Sequence, residues 1–170
     1  MHRLIQSLAR TTALIGGLVL ILLVVLATVS ILGRFSGLGE VKGNYEVLEA
    51  GVAFAIFSFL PVTQLYGAHA KVDVFTSVLG IRANRWIAAF WEVVLSLIIL
   101  LIIWRLYEGM QRYLGNGETT LFLQFPVWWS YAASFAAGFV ACITAIYCAI
   151  LRIAEAAQNR DILPSEHAEH

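Results

Sequence analysis

Few residues here have the type and spacing to do chemistry. Glu49 and Glu92 lie in or beside long apolar runs, and an ionisable group at membrane depth marks a polar partner or an ion path. Glu49 sits about one turn into its run and can reach the interface; Glu92 lies about two turns into its own. Structural pairing with a basic group, or a polar contact to a partner protein, is the favoured reading over ion coupling. His2, His69, His167 and His170 are scattered, and none falls at the middle of an apolar run, so neither haem nor a metal is indicated. Cys142 and Cys148 lie in one apolar run, about 600° apart on a helix, and read as buried small residues. No G-x-S-x-G, phosphate loop, H-E-x-x-H or C-x-x-C occurs. No catalytic, cofactor-binding or metal residue is therefore expected, nor enzyme activity.

The elements that hold these residues follow from composition. Of 170 residues, 60% are hydrophobic and 13% are charged, with 11 Lys plus Arg against 11 Asp plus Glu. A soluble chain carries about 25% charged residues. Disorder is excluded, because it needs low hydrophobicity. Nucleic-acid binding is excluded, because no basic surplus is present to neutralise phosphates. An integral membrane protein remains.

A membrane-crossing helix needs about 20 mostly apolar residues. Four runs qualify: Thr11–Gly33, roughly Val47–Ala68, roughly Trp86–Tyr107, and roughly Phe125–Leu151. The first has a basic lead, Arg3 and Arg10, but is too long for a cleaved signal, so it reads as a retained helix. The second carries Pro61, which predicts a bend near Phe57 to Pro61. The fourth is expected to start near Pro126, with Thr119–Gln124 as an interfacial lead-in. Solid apolar runs exclude the alternation of a β-barrel. All five tryptophans fall near predicted helix ends, where they suit the membrane interface. The expected fold is all-α: a single domain over residues 1–158 with four transmembrane helices, and a polar, disordered tail over 159–170.

Four spans put both termini on one side. That side holds Arg3, Arg10, Lys71, Arg82, Arg85, Arg152 and Arg160; the other holds Arg34, Lys42, Arg105 and Arg112. The positive-inside bias places both termini in the cytoplasm. Between the second and third spans, HAKVDVFTSVLGIRANR puts Val72, Phe75 and Leu79 on one helical face, which predicts a short amphipathic helix in the interface. Arg82 and Arg85 then meet lipid headgroups. Arg34–Glu46 and the segment from Glu108 read as loops, the latter turning at Gly115–Gly117. Gly16, Gly17, Gly51, Ala55, Ala132, Ala133, Ala136 and Ala137 supply small faces for close helix contact.

Arg34 follows the first span, Glu46 opens the second, and His69, Val72 and Asp73 stand in HAKVDVF. Thr119, Thr120, Phe125, Pro126, Trp128 and Tyr131 lead into the fourth span. In order and spacing, over about residues 10 to 155, the chain resembles the small membrane subunit of tripartite ATP-independent periplasmic (TRAP) transporters. The resemblance implies a non-catalytic chain in the bacterial inner membrane. It would brace the scaffold of a large transmembrane subunit that carries the transport domain and the sodium sites. A periplasmic solute-binding protein would deliver carboxylated solutes. Glu46, Glu49, His69, Asp73, Glu92, Pro126 and Trp128 are candidates for subunit contact or structure. Val72, Phe75, Leu79, Arg82 and Arg85 belong to the interfacial helix, and Glu40, Lys42, Arg112 and Glu118 are candidates for binding-protein contact. Lipids are further partners; nucleic acid is not. The alternatives are a homo-oligomeric channel or exporter, or an anchoring subunit of another membrane complex.

Overall fold

The computed structural model describes residues 2–37, 39–66 and 81–158. They form four helices: α1 (His2–Phe35), α2 (Asn44–Leu65), α3 (Ile81–Asn116) and α4 (Trp128–Gln158). Each is long and apolar enough to cross a bilayer, so the chain is an all-α, multi-pass membrane protein. The predicted interfacial helix at Val72, Phe75 and Leu79, together with His69, Asp73 and the tail 159–170, lies outside the described residues.

Both ends of α3 differ from the sequence reading. α3 starts at Ile81, so Arg82 and Arg85 belong to α3 and not to a preceding interfacial segment. α3 also runs on through Glu108 to Asn116, where a loop was expected. Its 36 residues make about 54 Å, well over the roughly 30 Å hydrocarbon core. The projecting turns are held by polar bonds at their base: Glu108 accepts from Trp104 Nε1 at 3.0 Å and from Arg105 at 2.9 Å. Tyr113 stacks on Tyr131, with ring centroids 5.0 Å apart. The helix stops at Gly117, whose φ of 64° lets its N–H turn back onto the Tyr113 carbonyl at 3.2 Å.

The lead into α4 is likewise not a plain interfacial stretch. Thr119 and Pro126 form an antiparallel bridge, flanked by Thr120 N–H to Phe125 O at 2.9 Å and Val127 N–H to Glu118 O at 3.0 Å. Pro126 closes this small hairpin-like loop, and α4 begins two residues later. α2 continues as helix through Pro61, which is buried.

The helices are arranged in the order α1, α2, α4, α3. α4 packs against both α2 and α3, whereas α1 packs on α2 and only lightly on α4. Backbones of α2 and α3 do not approach within 8 Å. The arrangement follows from one face of α4, where Ser134, Ala137, Gly138, Ala141, Cys142, Thr144, Ala145 and Cys148 are buried. Small side chains let helix backbones approach closely, which drives packing where lipid supplies no hydrophobic gradient. Ile99, Ile103, Phe57 and Leu60 fill the space in front of that face. Gly16 and Ala55 do the same at the α1–α2 crossing: a side-chain carbon added at Gly16 would come within 2.6 Å of Ser58 Cβ.

A Cβ on Gly138 would collide with Ile103 Cδ1, whereas one on Gly115 meets nothing within 4 Å. Gly138→Val should therefore lower stability by about 1–3 kcal/mol through overpacking. Gly115→Ala should be neutral or slightly stabilising. Thermal unfolding in detergent checks both.

Candidate functional site

Polar side chains gather toward the two ends of the helices. At the terminal end, α2, α3 and α4 meet in a buried layer. The Gln64 side-chain amide of α2 donates to the Glu92 carboxylate of α3. Ser96 Oγ, one turn along α3, donates to the Ala145 carbonyl of α4 at 3.1 Å. The Cys148 thiol of α4 points to the Gln64 carbonyl at 3.7 Å. Gln64, Glu92, Ser96 and Cys148 are all buried. One turn further on, Arg152 pairs with the buried Glu155 at 2.9 Å. Glu92 and Arg152 both lie within electrostatic range of Cys148.

This layer ties helices whose backbones do not touch. A buried carboxylate is costly unless its lone pairs find donors, and Gln64 supplies one donor from across the α4 groove. Glu92 thus has a neutral amide partner inside the chain. Sequence reasoning missed Gln64, Ser96, Arg152 and Glu155. A search for polar side chains within each apolar run would have raised the first two.

At the loop end, Glu46 sits in the first turn of α2. Its carboxylate accepts the Phe122 N–H at 2.7 Å and the Leu123 N–H at 2.9 Å. Gly43, with φ 75°, lies directly under Leu123, where no side chain would fit. The start of α2 therefore clamps the loop before α4. Glu46, Glu49, Leu106, Tyr131 and Ser134 line a cavity of about 370 Å³ between α2, α3 and α4. Glu49 is exposed at this cavity.

The other candidates fall as follows. Glu40, Lys42, Arg112 and Glu118 are all exposed at the loop end, and Glu118 accepts from Asn116 at 3.5 Å. Trp128 is half-buried and meets Trp129 edge-on, with centroids 6.2 Å apart. Arg85 is half-buried in α3, and the side chain of Arg82 lies outside the described residues.

Two outcomes test this geometry. Gln64→Leu removes the amide donor from the buried Glu92 carboxylate and should cost about 1–3 kcal/mol, read by thermal unfolding in detergent. Glu46→Ala should speed hydrogen exchange at the Phe122 and Leu123 amides and leave α4 amides unchanged.

The comparisons with known proteins agree with this architecture. The family model described as "Tripartite ATP-independent periplasmic transporters, DctQ component" matches residues 21–156. That stretch runs from within α1 almost to the end of α4, and it takes in the Glu46 clamp and the Gln64–Glu92 layer. Subunits of this family are not catalysts. Among curated proteins none matches the chain. Matched over most of its length, through all four helices, the chain belongs to the DctQ component family of TRAP transporters.

Proposed function

We propose that this chain braces the stationary scaffold of a sodium-driven TRAP transporter that imports carboxylated organic anions. A large transmembrane subunit carries the sodium sites and the moving domain, and a periplasmic binding protein delivers the solute. The observation that carries this reading is the outward face of α4. α4 is the helix most enclosed by its neighbours, yet Trp129, Phe139, Ile143, Ile146, Ile150 and Ile153 are 40–61% exposed. Ala133 and Ala136 continue the same stripe. The spacing of three and four residues is that of a helix–helix seam. A row of helices leaves such a face open to a flat partner surface in the bilayer.

In this reading both termini and the Gln64–Glu92 layer are cytoplasmic, following the positive-inside bias. Glu40, Lys42, Arg112 and Glu118 then lie on the periplasmic side, where a binding protein docks. His69 and Asp73, four apart, stabilise the entry to an interfacial helix through Val72, Phe75 and Leu79. That helix, at a fixed depth, resists tilting of the brace.

Reconstitution tests the reading. Proteoliposomes with the large partner and the binding protein should take up solute only under a sodium gradient, and this chain alone should take up none. Robust sodium-driven uptake by the chain alone would overturn it. Charge reversal at Glu40 or Glu118 should change the salt dependence of binding-protein docking; an unaltered dependence places those residues outside the contact.

A further inference from the structure

A second feature lies away from these sites, on the outer side of the α1–α2 pair. Leu14, Leu18 and Ile21 form a ridge along α1, 74%, 62% and 65% exposed. Phe59 and Val62 form the facing wall on α2, and Gly17 lies on the floor of the groove between them, which has a volume of about 660 Å³. Gly17 keeps the floor open: a carbon added there would meet only Phe59 Cζ, at 3.9 Å.

The groove is apolar along its length and cationic at one end. Arg10 closes it beside Tyr66. Arg10 Nη2 and Nε donate to the Tyr66 hydroxyl at 2.8 and 3.2 Å, and Gln6 donates to the same oxygen at 3.2 Å. Arg10 is exposed, and the group it meets on α2 is a hydroxyl and not a carboxylate. A guanidinium has five N–H donors, so two on Tyr66 leave an edge of about three for an anion. Tyr66 fixes the direction of that edge, which prepays much of the ordering of a long side chain.

The dimensions fit one leaflet. From Arg10 to Ile21 is about 16 Å of helix, and half a hydrocarbon core is about 15 Å. Arg10 immediately precedes the uncharged run Thr11–Gly33, which puts its charge at headgroup level. Basic pockets between transmembrane helices hold anionic headgroups in this way.

We infer that the α1–α2 groove holds an anionic phospholipid, with its phosphate on Arg10 and one acyl chain lying along Gly17 between the Leu14–Ile21 ridge and Phe59. A second helix is the weaker candidate occupant. It would need interaxial room of about 8–10 Å, and it would bring no charge to Arg10 unless one were built in.

Native mass spectrometry of the full chain tests this, with dioleoylphosphatidylglycerol titrated against dioleoylphosphatidylcholine. The phosphatidylglycerol should bind at one copy and at least about tenfold more tightly. Arg10→Gln should abolish that preference, while Arg3→Gln, which removes the same charge from the same helix, should keep it. Gly17→Leu fills the floor and should weaken binding of both lipids, which keeps the test open should Arg10→Gln fail to fold. Equal binding of the two lipids by the unaltered chain overturns the inference. So does an equal loss in the two arginine variants, or undiminished binding by Gly17→Leu. Disulfide capture of a protein helix by Leu18→Cys, in place of lipid, overturns it as well.

Discussion

The arrangement depends on one constraint: a single face of α4 carries only small side chains between Ser134 and Cys148. Lipid gives helices no hydrophobic reason to associate, so contact must come from close packing and from polar bonds made between helices. The small face supplies the first. It admits Ile99 and Ile103 from one side and Phe57 and Leu60 from the other. The Gln64–Glu92 bond supplies the second, joining α2 to α3 across the front of α4. With Ser96 and Cys148 bonded to backbone carbonyls at the same end, three helices are held where they converge. At the opposite end a cavity lies between α2, α3 and α4, and the Glu46 clamp on the 118–127 loop does the joining.

That economy of contacts has a consequence for function. Because α4 is shared by α2 and α3, and α1 leans mainly on α2, the helices lie as a row more than as a closed square. Both sides of a row stay open. The apolar stripe of α4 and the exposed large side chains of α3, such as Trp91, Leu101 and Trp104, suit burial against further protein or lipid. Membership of the DctQ component family places the chain among the components of such a transporter assembly.

How much of this was legible in the sequence follows from the solvent. Inside the hydrocarbon every backbone polar group must be satisfied by the segment itself, so an apolar run of sufficient length is a helix, and all four were readable. Beyond the hydrocarbon that rule lapses. The stretch from Glu108 to Asn116 read as a loop because Gly115 lies close to Gly117, yet only Gly117 needs a left-handed backbone. Arg82 and Arg85 were misplaced for the same reason: nothing local marks where a helix begins outside the membrane. Glu46 was legible as a position but not as a clamp, since its partners are backbone amides 76 and 77 residues away. Glu92 was legible as a buried acid in need of a partner. That Gln64 is one such partner depends on which helices α4 brings together, and no local pattern encodes that.

The claim that the open face of α4 seats a large transporter subunit is tested most directly by photo-crosslinking in the assembled membrane. A photoreactive residue at Ile146, 46% exposed on that stripe, is compared with one at Ala145, which is fully buried inside the chain. An adduct with the large membrane partner is expected from position 146 and none from position 145. An adduct from position 146 with lipid alone, or with a second copy of this chain, would contradict it.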